Sequence, residues 1–366
     1  MFQRLFALFL GCSMLLGCVP APAKMLMPPY LQAVTTHSIY VLVESDSKAP
    51  ITVEYGTTID YGLTAVTEKT LPTDTAPVTY VHRILLDKLA ANATYHYRVK
   101  QDGEPTADAA FGTAVDAGTP FRFAWMADTR THTEIHAKID KLIQAAAPRF
   151  SLYGGDLCND GRYAMFKKEF FIPEEQALIA QVPFFNVTGN HEGWDTNTKA
   201  FIQAPESSSD TQAFYSFDYG DVHFLALNTE LAFDEGSAQY KFAAADLAAS
   251  TRPWKIVYMH NHPYCAGGHG SNAKLQEMAK HLFVPNKVNV VFSGHSHFFE
   301  HNLVDGIHYM IVGSAGAPLY DPQPAPFVVK SAKSYNYALI DVTPTSLKIT
   351  VNNDEGKELD SLTLEK

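Results

Sequence analysis

The chain has 366 residues, of which 46% are apolar, 18% charged and 12% aromatic. That composition excludes a disordered or fibrous chain and suits globular domains with sizeable cores, two of them at about 100–200 residues each. Its 28 basic and 39 acidic residues give a net charge of -11 with no block of like charge, which argues against a nucleic-acid partner and against a polybasic membrane patch.

In chain order, the first element is a leader. Arg4 precedes the apolar run Leu5–Leu16, a secretory pattern too short to span a bilayer. The run ends in Leu15-Leu16-Gly17-Cys18, which resembles the lipobox of bacterial lipoproteins. The resemblance implies a signal peptide over residues 1–17, a lipidated Cys18, and a periplasmic or outer-membrane lipoprotein touching the membrane only through its lipid anchor. Ala21-Pro22-Ala23 offers an ordinary cleavage site, and secretion is the alternative. No later apolar run is long enough for a spanning helix. Of four cysteines, Cys158 and Cys265 remain beyond the leader, too few for a disulfide framework; whether they pair is left open.

From Pro28 to about Ala114 the text reads as short strands between turns: Ser38–Glu44, Ile51–Tyr55, Tyr80–Leu86 and Thr94–Lys100. Strands at this spacing without helical periods predict a small β-sandwich over residues 25–115. Past Gly118 strand-like and helical runs alternate: Phe121–Ala127, Thr131–Ala147, Arg149–Tyr153, Tyr163–Ala180 and Pro183–Val187. This predicts an α/β layered core over residues 119–366. Thr131 with Glu134 reads as a capping box for the first helix. Ala213–Leu227 and Phe298–Val312 read as peripheral hairpins, and Tyr337–Asp341 with Leu347–Asn352 as strands closing a second sheet.

In such folds, functional groups gather beyond the carboxyl ends of strands. Five apolar strands here end in Asp128-Thr129-Arg130, Gly154-Gly155-Asp156, Gly189-Asn190-His191-Glu192, His260-Asn261-His262 and Gly294-His295-Ser296-His297. Each residue alone reads as a helix cap, a turn or a satisfied histidine. Together they supply carboxylate, amide and imidazole ligands, which suit Fe, Mn or Zn better than Ca or Mg. Six protein ligands exceed what one catalytic ion needs and suit two ions sharing a carboxylate.

These blocks, with Val257-Tyr258-Met259-His260 and Phe298-Phe299-Glu300 alongside, resemble the signature blocks of calcineurin-like metallophosphoesterases. Pro29-Tyr30-Leu31-Gln32 and Ala93-Thr94-Tyr95-His96-Tyr97-Arg98-Val99 resemble the fibronectin-III-like domain that precedes them in purple acid phosphatases. The resemblance implies an α/β fold: a two-sheet metallophosphoesterase core with helices outside, preceded by that sandwich. It implies two divalent or trivalent metal ions (Fe, Mn or Zn), with Asp128 and His297 on the first, Asn190, His260 and His295 on the second, and Asp156 bridging. A metal-bound hydroxide then attacks a small phosphoester, with His191 as general acid or phosphate orienter and Glu192 as its partner. Arg130 suits a grip on phosphate oxygens or a salt bridge, and His269 suits substrate contact.

Plant and animal purple acid phosphatases place a tyrosine, an iron ligand and the source of their colour, three residues after the bridging aspartate. Here that position is Asn159, so no purple chromophore is expected, and Asn159 or water completes the first site. An acid-phosphatase-like phosphomonoesterase is the reading implied. A phosphodiesterase or nucleotidase on the same centre, and a surface adhesion protein with a vestigial metal domain, are the alternatives.

Overall fold

The computed structural model describes residues 23–103, 105–205 and 212–366. The leader 1–17 and the lipid candidate Cys18 lie outside them. Two large sheets pack face to face, because their facing strands carry aromatic side chains at every second position. Trp125 stacks on Phe292 at 5.2 Å, and Phe123 meets the edge of Phe224 at 5.3 Å. The buried Trp125 indole donates to Val312 O at 2.9 Å, tying one sheet to the other. Truncating such a residue to alanine costs about 3–5 kcal/mol.

Among the described residues the first sheet has ten strands, with Asn336–Val342, Phe121–Met126, Ser151–Tyr153 and Phe184–Asn186 at its centre. The last three run parallel, so their carboxyl ends open on one edge. The second has seven, with Val222–Leu227, Trp254–Met259, Val290–Ser293 and Ile307–Val312 in parallel order. Helix Thr133–Ala146 covers the outer face of the first sheet through Ile135, Ile139 and Ile143. Helix Ala238–Ala249 covers the second through Ala243 and Leu247. The layers are therefore helix, sheet, sheet, helix, as expected of the two-sheet core. No described helix is long and apolar enough to cross a membrane.

Near the N-terminus, strands Leu63–Val66, Thr52–Gly56, Thr94–Lys100 and Ala109–Gly112 form a separate four-stranded sheet. Tyr95, Tyr97 and Val99 alternate inward from it and pack with Ile39, Val41 and Ile84 of the opposing strands in one sandwich core. Those opposing strands, Ile39–Ser45 and Tyr80–Leu86, are continuous with the large first sheet: Tyr30–Gln32 pairs with Phe184–Asn186 through Gln32 and Phe184.

Several local expectations are corrected. Thr131 does not cap its helix: His132 is the N-cap and makes no side-chain cap bond, while Thr131 has φ +78°. The backbone there is held by the site, with His132 N donating to Gly316 O at 3.1 Å. The run Tyr163–Ala180 is not one helix. It divides into a turn at Tyr163–Met165, a π-helical turn at Phe166–Phe170 and a helix at Pro173–Ile179, because a proline interior to a helix costs a backbone bond. The strands Asn336–Val342 and Ser346–Asn353 close the first sheet, beside Phe121–Met126, and not the second. The two hairpins form, at Tyr215–Tyr219 with Val222–Leu227 and at Phe299–Val304 with Ile307–Val312, but they are not peripheral: Val222–Leu227 and Ile307–Val312 pair in parallel with Trp254–Met259 and Val290–Ser293 inside the second sheet.

Candidate metal centre

The carboxyl ends of the central strands of both sheets meet at one edge of the stack, and the five blocks meet there. Asp128, Asp156 and His295 follow their strands with φ of +56°, +54° and +67°. Left-handed backbone is costly for such residues and collects at functional sites. Here it turns each side chain back across the strand ends. A methyl group on Gly189 would collide with Asp156 Oδ1 and with its backbone nitrogen, and one on Gly294 with Asp128 Oδ2. Both positions take glycine because the Asp156 and Asp128 carboxylates lie against their backbone.

The donors converge. Oxygen and nitrogen atoms of Asp128, Asp156 and His260 all lie within 4.8 Å of one another. His260 Nε2 is 3.3 Å from Asp156 Oδ1, 3.1 Å from Asn190 Oδ1 and 3.2 Å from His295 Nδ1. His297 Nε2 is 3.3 Å from Asp128 Oδ1. His295 N donates to Asp128 Oδ2 at 2.9 Å, and His191 N donates to Asp156 Oδ1 at 3.0 Å. All six residues expected as ligands are thus brought together.

The chemistry of this set fits a pair of first-row ions. Asp128 Oδ1 is buried without a hydrogen-bond partner. His260 Nδ1 donates to Gly154 O at 2.7 Å and His297 Nδ1 to Pro318 O at 2.8 Å. Each Nε2 is therefore directed into the cluster, the usual posture of an imidazole ligand whose other nitrogen is fixed. The His295 imidazole, crowded by burial and by His260, His269, His262 and His297, is held far below its ordinary pKa and so stays an acceptor. Burial opposes charge on Asp156, but His260, His191 and Arg130 outweigh it and lower its pKa.

The expected substrate contacts take definite places. His191 lies on the rim, with Nδ1 donating to Asn159 O at 2.8 Å and Nε2 3.7 Å from Asp156 Oδ2. The exposed His269 ring stacks on His295 at 4.0 Å. Beside it opens a cleft of about 440 Å³ lined by Asn261, His262, His269, Asn272, Lys274 and His295. Arg130 points inward: Nε is 3.3 Å from Asp156 Oδ2, Nη1 donates to Asn159 Oδ1 at 3.0 Å, and Nη2 lies 3.4 Å from His297 Nε2. Glu192 does not partner His191. It is buried and accepts from Gly189 N at 2.8 Å, bracing the loop, and burial followed by the charge of Asp156 pushes its pKa up to about 8.

Three contributors escaped the sequence reading. Tyr320 stacks on His297 at 4.3 Å, and Pro318 supplies the carbonyl that orients it. Their signal was the loop Gly313-Ser314-Ala315-Gly316-Ala317-Pro318 directly after a strand. Glu169 grips Asn159 through both its backbone nitrogen and its Nδ2 at 2.7 Å, a contact that a π-helical turn creates and periodicity hides. Cys158 and Cys265 are free, buried thiols donating to Asp160 O and Gly267 O.

A family model for calcineurin-like phosphoesterases matches residues 121–299. Purple acid phosphatase 22 of Arabidopsis thaliana is 29% identical over 237 residues, covering 60% of this chain and 53% of that protein. Purple acid phosphatase 18 of the same plant is 28% identical over 290 residues, covering 72% and 63%. Acid phosphatase type 7 of Danio rerio is 24% identical over 352 residues, covering 79% and 78%. The match thus spans little more than half the length of several plant relatives. Purple acid phosphatase PPD1 from yellow lupin shares the fold with a TM-score of 0.77 at 19% identity, over 92% of this chain and 74% of that one. PhoD shares it with a TM-score of 0.70 at 13% identity, over 93% and 90%. The chain therefore carries a calcineurin-like metallophosphoesterase domain and has purple acid phosphatases as homologues.

Proposed function

We propose that this chain is a metal-dependent phosphoester hydrolase of the cell envelope, acting as an acid-phosphatase-like phosphomonoesterase on small organic esters. The observation that carries the reading is the convergence of six inward-facing donors at the edge of a calcineurin-like domain. Asp128 and His297 would hold a first ion, Asn190, His260 and His295 a second, and Asp156 would bridge them. Iron, manganese or zinc suits these ligands. Two such ions would neutralise phosphate oxygens and make a water molecule nucleophilic at neutral pH.

The protein's own groups do the rest. With Nδ1 fixed on Asn159 O, His191 presents Nε2 at the partly exposed rim, where an imidazolium can give its proton to the leaving oxygen. Arg130 holds the Asp156 carboxylate and Asn159 in place, and its fork suits phosphate oxygens arriving beside them. The cleft past His269 is lined by Asn261, Asn272 and Lys274 among others, and the Lys274 ammonium favours a small, doubly charged monoester. The leader over residues 1–17 and Cys18 supports export and a lipid anchor, and residues 25–115 are proposed as an accessory sandwich in front of the domain at 119–366.

Hydrolysis of p-nitrophenyl phosphate and bis-p-nitrophenyl phosphate tests this directly. The monoester should turn over faster, and chelation should abolish both activities. Preference for the diester would move the reading to a phosphodiesterase or nucleotidase. No turnover of either by metal-loaded protein would remove the enzymatic reading.

A further inference from the structure

A second group of metal-competent side chains lies in the core, away from the cleft and unused by the chemistry above. His136 and Asp140 are one helical turn apart on helix Thr133–Ala146, and Glu175 comes from the first turn of helix Pro173–Ile179. All three are buried, at 0%, 1% and 0% exposure. His136 Nε2 is 3.3 Å from Asp140 Oδ1 and 3.2 Å from Glu175 Oε2, and ligand atoms of all three lie within 4.8 Å of one another.

The outer atoms of the group are already engaged. His136 Nδ1 donates to Glu169 O at 3.2 Å, which leaves Nε2 facing the two carboxylates. Tyr153 Oη donates to Glu175 Oε1 at 2.7 Å, which leaves Oε2 facing the imidazole. Asp140 is different: neither of its carboxylate oxygens has a hydrogen-bond partner. A buried carboxylate in that condition loses its hydration without replacement, at a cost of several kcal/mol. Among the described residues, no lysine or arginine pairs with Asp140 or Glu175.

Charge points the same way. An imidazolium with two carboxylates carries a net negative charge inside the core, and its single Nε2 proton cannot satisfy both acids. A divalent ion with neutral His136 and both carboxylates ionised balances to zero. Ligands about 2.0–2.1 Å from a tetrahedral ion stand roughly 3.3 Å apart, and His136 Nε2 stands 3.3 Å and 3.2 Å from its two carboxylate neighbours. Asp140 Oδ2 is free to fill a further position.

We infer that His136, Asp140 and Glu175 form a structural site for one divalent first-row ion such as zinc, manganese or iron(II), distinct from the centre at the cleft. Its effect on the cleft runs through Glu169. That residue's backbone carbonyl orients His136, while its carboxylate holds Asn159, whose own carbonyl holds His191. The ion therefore stiffens, from behind, the turn that positions the rim histidine. Enclosed in the core, it loads during folding and resists brief chelation.

Crystals of the full chain, grown from cells supplied with all three metals, test this by anomalous scattering at the manganese, iron and zinc edges. A peak between His136, Asp140 and Glu175 is the expected result, whatever is found at Asp156. No peak there at any of the three edges overturns the inference, and peaks at Asp156 alone would leave the phosphoesterase reading standing without it. Elemental analysis adds a second reading: Asp140→Asn should lower the metal content by one equivalent per chain. Folded Asp140→Asn protein with the full wild-type content overturns the inference as well. If that variant does not fold, the anomalous map of the unaltered chain decides the question.

Discussion

The guanidinium of Arg130 and the carboxylate of Asp156 form a buried ion pair at the heart of the candidate centre, Nε to Oδ2 at 3.3 Å. Arg130 supplies the nearest fixed positive charge to a carboxylate that two ions would otherwise neutralise. Removing one member of a buried pair costs about 3–5 kcal/mol when nothing replaces it. Arg130→Met should therefore destabilise chelated protein by about 3 kcal/mol and metal-loaded protein by clearly less. Urea melts with and without chelator measure the difference; equal losses in both would separate Arg130 from the metal centre.

Asn159 stands where purple acid phosphatases carry their chromophoric tyrosine. It is held by Arg130 and by Glu169, and an amide oxygen gives iron(III) no visible charge-transfer band. Iron-loaded wild type should be colourless to pale in the visible region. Asn159→Tyr should gain a broad visible absorption on loading with iron(III). The absorption spectrum reads this without any assay of activity, and a purple wild type would contradict it.

A side chain at Gly189 would meet the Asp156 carboxylate and backbone. Gly189→Ala should thus displace Asp156, the proposed bridging ligand, while leaving both sheet cores intact. The expected result is at least about a hundredfold lower kcat for p-nitrophenyl phosphate, since misplacing a catalytic group by about 1 Å costs that much. Circular dichroism should be unchanged. Wild-type turnover in this variant would mean that Asp156 is not where the chemistry occurs.

The stability of the fold should depend on pH through His223. Its Nδ1 pairs with Asp218 Oδ1 and its Nε2 with Asp246 Oδ2, both at 2.8 Å. Burial opposes its charge, but Asp218 and Asp246 outweigh it and raise its pKa to about 9. A histidine whose folded pKa exceeds the unfolded value of about 6.5 stabilises fully below that pH, and the gain is lost as pH rises through about 9. Because Asp218 is 43% exposed, the gain is discounted for solvent to about 1–2 kcal/mol. Unfolding free energies from urea melts at pH 6 and pH 10 should differ by this amount more in wild type than in His223→Gln. An identical pH dependence in both would show that the pair contributes nothing.

Much of this site was legible because metal ligation requires particular side chains at strand ends, and five strand ends displayed them in order. Local periodicity also located the central strands and the helix over Thr133–Ala146. What it could not show was tertiary in origin. The capping pattern at Thr131 fails because Arg130 is drawn inward to Asp156 and His132 is bonded to Gly316 O. The run after Tyr163 breaks where a π-helical turn brings Glu169 to Asn159. The sheet to which Asn336–Val342 belongs depends on pairing with Phe121–Met126, more than 200 positions away, and no local pattern encodes that choice. Tyr320 was missed for the same reason: its role exists only once His297 lies beneath it.

Metal content measured together with turnover decides whether the six side chains form one working metal centre. Purified wild type should contain bound first-row metal, lose p-nitrophenyl phosphate hydrolysis on chelation and regain it when iron, manganese or zinc is returned. Doubly substituted Asp156→Ala, His297→Ala protein should fold, bind less metal and hydrolyse the ester at least about a thousandfold more slowly. Retained turnover in that variant, or undiminished activity in fully chelated wild type, would contradict the account.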